Sequence, residues 1–168
     1  AYMKKLSLIV PLGIAIAVFA VAINVFAQES NPRFGVWKLA SNAPPPSSNI
    51  MTYEPYRDTG MRITVESTNG RGQQSTWSYV TLFDGEFRPV TGQDTAETAV
   101  EIIDEHATRI SNKRNGRVYQ VIINTLSEDG NTITNEYVRL DENGDILRVS
   151  HAVYARVGSP NRSSPQPH

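Results

Sequence analysis

The thirty residues NGRVYQVIINTLSEDGNTITNEYVRLDENG, numbers 115–144, decide the fold. Asn115-Gly116, Asp129-Gly130 and Asn143-Gly144 mark tight turns, and the runs between them are rich in Val, Ile, Thr and Tyr. Type I′ turns need positive φ at both central residues, which Asn, Asp and Gly tolerate best, and their twist matches that of paired strands. The stretch therefore reads as two complete strands, 117–126 and 132–140, each flanked by hairpin turns. Asn69-Gly70 and Asp84-Gly85 repeat the signal upstream.

Working outward, period-two alternation continues in both directions. Met61, Ile63 and Val65 alternate with Arg62, Thr64 and Glu66, and Trp77, Tyr79 and Phe83 share a face, with Val80 and Leu82 making the opposite face apolar as well. The further strands expected are 36–41, 50–54, 61–68, 75–83, 87–90, 99–104, 107–112 and 146–157, joined elsewhere by surface loops at 43–49 and 91–97. The three prolines Pro44, Pro45 and Pro46 cannot donate ladder bonds and belong in an extended connection near a barrel mouth. Sequential short connections make an up-and-down meander, and roughly eight to ten such strands close into a barrel, which removes exposed edges. The expectation is an all-β fold, an antiparallel barrel spanning 34–157.

The N-terminus reads differently. Lys4 and Lys5 precede an uncharged run of 22 residues that begins at Leu6 and ends at Ala27. That is longer than a signal core of roughly 7 to 15 residues and enough, as a helix, to cross about 30 Å of hydrocarbon. One N-terminal transmembrane helix (1–28) is expected to precede the barrel, joined to it by a linker at 29–33. The positive charges then place the N-terminus in the cytoplasm and the barrel in the periplasm or outside. The small residues Gly13, Ala15, Ala17 and Ala20 suit close helix packing in a bilayer. The alternative is an export signal cut after Ala27, leaving a secreted barrel. The tail at 158–168 is too polar to order itself.

Composition excludes several classes. A net charge of −1 gives no broad basic surface for phosphates, so nucleic acid is not an expected partner, and the absence of cysteine rules out disulfides and thiolate sites.

At Phe34-Gly35-Val36-Trp37-Lys38-Leu39 a further pattern emerges, a Gly-x-Trp opening the first barrel strand. It is followed in order by the Pro-rich loop, Tyr53-Glu54-Pro55, Trp77-Ser78-Tyr79, Phe83-Asp84-Gly85 with Pro89-Val90-Thr91-Gly92, the turn beginning Glu128-Asp129-Gly130, and a closing Val153-Tyr154-Ala155-Arg156. This succession resembles small secreted or membrane-anchored bacterial lipocalin-like (calycin) β-barrel domains. The resemblance implies that Trp37 plugs the closed end of the barrel with Arg156 lying over its ring, a structural cation–π pair.

Candidate chemistry is sparse. His106 and His151 have no partner at metal-ligand spacing, and His151, alternating with Val149 and Val153, is read as filling a barrel position. Asp141-Glu142-Asn143-Gly144-Asp145 resembles a calcium loop, but Gly144 stands one place early and Ala152 occupies the bidentate Glu position, so a solvated turn is expected. Asp104-Glu105 is read as a turn between strands, and no nucleophile or phosphate motif appears. The interior is the remaining candidate site: Met61, Ile63, Val65, Trp77 and Tyr79, with Phe83, Ile122, Tyr137 and Tyr154, line a cavity or fill it. No catalysis, metal or cofactor is expected. The function expected first is a membrane-anchored accessory subunit, its barrel docking on other membrane-protein subunits of a larger complex such as a photosynthetic or respiratory assembly. The alternative is a periplasmic binder of a small hydrophobic ligand.

Overall fold

The computed structural model describes residues 31–158. The transmembrane helix expected at 1–28, its packing residues Gly13, Ala15, Ala17 and Ala20, and the tail beyond Gly158 lie outside the described residues. Among those described there is no helix, and ten strands follow one another. They are β1 (Gly35–Leu39), β2 (Ser48–Tyr56), β3 (Gly60–Thr68), β4 (Gln74–Thr81), β5 (Arg88–Pro89), β6 (Ala96–Ile102), β7 (Ala107–Arg114), β8 (Arg117–Leu126), β9 (Thr132–Leu140) and β10 (Ile146–Gly158). Every pairing is antiparallel, and the order β4-β3-β2-β1-β10-β9-β8-β7-β6-β5 makes one sheet that curls on itself. Between β4 and β5 the seam is held by one bridge, Ser78 and Thr91 exchanging backbone bonds of 3.0 and 2.8 Å, so the barrel is nearly closed.

The turns depart from the type I′ expectation. Only Asn115-Gly116 has both residues at positive φ, 51° and 77°. At Asp141–Asp145 the Asp141 carboxylate accepts the Asn143 and Asp145 amides, and Gly144 alone is left-handed at 87°. Asn69 does the same for Arg71 and Gln73, with Gly72 rather than Gly70 left-handed at 79°. These are three-residue loops led by an Asx side chain, a common alternative hairpin closure. Asp84-Gly85 closes no hairpin; Asp84 bridges Glu101 across the sheet, in the link between β4 and β5.

Three of the strand bounds that moved did so for plain local reasons. β6 starts at Ala96, three residues before its expected start, because left-handed Thr95 ends the preceding loop, and it ends at Ile102, two residues early, because Asp104 Oδ1 caps the next turn by accepting the His106 and Ala107 amides. β4 ends at Thr81, since Phe83 sits at φ 60° and leaves the strand. Inward side chains of all the long strands share one core, in which Trp37, Ile63 and Ile133 are fully buried. Burying each such side chain contributes about 1.5–3 kcal/mol.

Two glycines separate packing from conformation. A Cβ on Gly60 would stand 2.5 Å from Thr81 O and 2.7 Å from Tyr56 O, whereas one on left-handed Gly116 meets nothing within 4 Å. Gly116→Ala is expected to cost about 1 kcal/mol, from backbone conformation alone, and Gly60→Ala about 2–3 kcal/mol, from overpacking. Urea unfolding of the two variants compares them; equal losses would contradict the packing argument at Gly60.

Candidate functional site

The chain enters at the closed end. Residues 31–33, expected in a linker, fold instead into the barrel's floor. A turn joins Asn31 O to the Phe34 amide at 2.9 Å and aims Arg33 inward, where it is 4% exposed. Its Nε donates to Asn124 Oδ1 at 3.2 Å and its Nη2 to His106 O at 2.6 Å. Burial of the guanidinium lowers its pKa, because the charged form loses water. Directly above, the Trp37 indole is wholly buried and donates to Arg33 O at 2.9 Å.

Arg156 covers the outside of that plug. Its guanidinium carbon lies 4.2 Å from the Trp37 ring centroid, and Trp37 and Arg156 are register partners. The same group donates to Gly130 O at 2.8 Å, Phe34 O at 2.7 Å and Pro32 O at 2.6 Å. One side chain thus ties the entering segment, the β8–β9 turn and the first strand together. A cation held over an indole at this spacing contributes about 0.5–2 kcal/mol beyond its hydrogen bonds.

The opposite end carries the loops 40–47, 69–73, 91–95, 115–116 and 141–145, and here the interior opens into a cavity of about 160 Å³. Of the side chains expected inside, Ile63, Val65, Trp77 and Tyr79 line it, as do Ile122, Tyr137 and Tyr154. Met61 and Phe83 do not. Met61 lies deeper, bordering only a void of about 10 Å³ beside Arg33 and Tyr53. Phe83, partly buried against the edge of the core, lines an open groove of about 520 Å³ on the outside of the closed end, with Phe34, Arg57 and Asp104.

Sequence reasoning missed the polar half of the wall. Asn124 and Asn135 are 1% and 3% exposed and point inward. Asn124 Nδ2 donates to Asn135 Oδ1 at 2.8 Å, Asn135 Nδ2 to Tyr137 Oη at 3.1 Å, and Tyr137 and Tyr154 share a hydrogen bond of 3.4 Å. With Arg33 at its foot, this is a continuous chain of donors rising from the buried cation to the cavity. The signal was parity: Asn135 alternates with Ile133 and Tyr137, and Asn124 with Ile122 and Leu126, at spacings that put them on the core face. Desolvation, the largest cause in each case, raises the pKa of Tyr53, Tyr79 and Tyr154.

Outside, the barrel presents an apolar stripe. Leu147, Val149, Val153 and Val157 of β10 are exposed on one outer face. His151 stands in the same row and is therefore not an interior filler; its Nε2 lies 3.1 Å from Glu136 Oε2 at the surface. Among the described residues no group of three His, Cys, Asp or Glu side chains could hold a metal ion.

No protein-family model matches the chain, and no curated protein sequence matches it. Solved structures do. The wild-type fluorescent protein UnaG is 13% identical and superposes with a TM-score of 0.51, over 74% of this chain and 96% of that one. A single-residue mutant of UnaG, also 13% identical, gives 0.52 over 75% and 96%. At that identity the likeness shows fold alone, and the fold it shows is a lipocalin-like calycin β-barrel.

Proposed function

We propose that this chain is a non-catalytic binding protein that takes one small molecule into the barrel, held on the outer side of a bacterial membrane by the apolar run ending at Ala27. The observation that carries this reading is the shape of the interior: a cavity of about 160 Å³, sealed at one end by Arg33 and Trp37 and accessible at the other, its wall shared between aromatic and aliphatic side chains and polar ones such as Asn49, Gln120 and Asn135. Concave sites that combine apolar walls with convergent polar groups are where small ligands bind. Native mass spectrometry of the full-length chain, released gently from its own membranes, is the test. A mass increment present in the native spectrum and lost on denaturation is expected. A bare chain that also shows no saturable shift with a small-molecule fragment panel would refute the reading.

A second reading, the anchored accessory subunit that docks on other membrane-protein subunits, is favoured by the exposed apolar side chains of β10 on either side of His151, since clustered apolar surface marks contact sites. Extraction in mild detergent should then recover fixed-stoichiometry partners, and Val149→Lys with Val153→Lys should release them.

A further inference from the structure

We infer that the ligand is a neutral, single-ring molecule carrying both a hydrogen-bond donor and an acceptor; this rests on the barrel being a ligand chamber and specifies what it admits. Size sets the first limit. A cavity of about 150 Å³ accommodates benzene, so the space of about 160 Å³ here takes a ring with one or two small substituents. Along one wall Trp77 and Tyr79 lie nearly parallel, 16° apart with centroids at 6.1 Å, and border the space a planar guest would occupy.

Charge sets the second limit. Among the residues lining the cavity only Glu97 and Lys113 are ionic, and these are cross-strand partners of opposite sign on β6 and β7. Lys113 Nζ is moreover seated 3.5 Å over the Phe87 ring. The Arg33 guanidinium sits below the cavity wall with Nε and Nη2 donating to Asn124 and the His106 carbonyl. The two lining charges sum to zero, so an ionised guest would shed its water and find no net counter-charge.

The polar ends come from two groups the protein leaves incompletely used. Asn49 shares the inward parity of Met51 and Tyr53, and its Oδ1 is buried yet accepts no hydrogen bond from the protein. It calls for a donor. Farther in, Tyr137 and Tyr154 have two hydroxyl hydrogens and use one between them, while Asn135 already donates to Tyr137. Whichever way that bond points, one O–H is left over and calls for an acceptor. A cyclic amide meets both requirements; a plain hydrocarbon meets neither, and a carboxylate brings the charge the site does not match.

The experiment is calorimetric titration of the full-length chain with 2-pyridone, toluene and benzoate. 2-Pyridone is expected to bind at least tenfold more tightly than either of the others. Asn49→Ala and the double change Tyr137→Phe with Tyr154→Phe, which alone removes the leftover O–H, should each weaken 2-pyridone about tenfold while leaving toluene unchanged, and near-UV circular dichroism verifies that each variant keeps its packing. Toluene binding as well as 2-pyridone, or benzoate binding better, would overturn the inference while leaving the chamber itself standing. Failure of all three probes at millimolar concentration would overturn the chamber reading as well.

Discussion

Replacing Trp37 by alanine is expected to lower the unfolding free energy by about 3–5 kcal/mol, the range for deleting a large buried aromatic. The side chain is fully buried, and its removal opens a hole between Arg33 below and Arg156 outside. The loss is also polar: Arg33 O gives up its indole donor, and the Arg156 guanidinium, whose pKa burial already lowers, gives up the ring beneath it. Domains of this size are stable by about 5–15 kcal/mol, so the variant should be marginal at 37 °C. Trp37→Phe keeps most of the volume but loses the N–H and should fall between the two. Urea titrations decide this; a Trp37→Ala loss under about 0.5 kcal/mol would show that the indole is not a plug.

The second large effect is alkaline. Above about pH 10 the barrel is expected to lose stability by up to about 4 kcal/mol per pH unit, from three buried tyrosines at about 1.4 kcal/mol each. Tyr53, Tyr79 and Tyr154 have pKa values raised above the ordinary 10.0, chiefly by desolvation, with neighbouring tyrosines adding to it. The folded chain therefore keeps these protons at a pH where the unfolded chain has released them. Stability from this source is complete below about pH 10 and disappears as the pH climbs toward the folded-state values. Unfolding followed by near-UV circular dichroism between pH 8 and 11 measures the slope, and Tyr79→Phe should reduce it by about one third. A stability that stays flat to pH 11 would mean that these hydroxyls reach water.

Much of the fold was legible because alternation and burial agree. β8 and β9 stand where the runs after Asn115-Gly116 and Asp129-Gly130 place them, and the inward set Met61, Ile63 and Val65 is buried as its parity demands. Four of the five turns were legible in place and only Asn115-Gly116 in type: an Asx carboxylate or amide that accepts two amides builds a loop whose left-handed glycine comes later, which a dipeptide rule does not see. The site was half legible. Apolar lining follows from parity, but Asn124 and Asn135 look like solvent-facing residues until each finds the other, since a buried amide is tolerated only when its partners are also buried. Arg33 was hidden for the same reason: a cation next to an apolar run reads as linker until the carbonyl of His106 and the amide of Asn124 are seen to receive it. The pairing of Arg156 with Trp37 came from family likeness, and no spacing rule links residues so far apart in the chain.

The pairing of β1 with β10 also has a cost in time. All other ladders in the sheet join strands adjacent in sequence, whereas Val36 meets Gly158 only after the whole intervening chain has been looped back. Closing a loop of that length costs about 4 kcal/mol of chain entropy before any contact is made. During synthesis the hairpins from β2 to β9 can form as they emerge, but the first strand waits for the last one, with its outer edge open to other chains. Closure of this barrel therefore waits on its C-terminal strand, and a chain truncated before Ile146 is an open sheet with the floor unfastened.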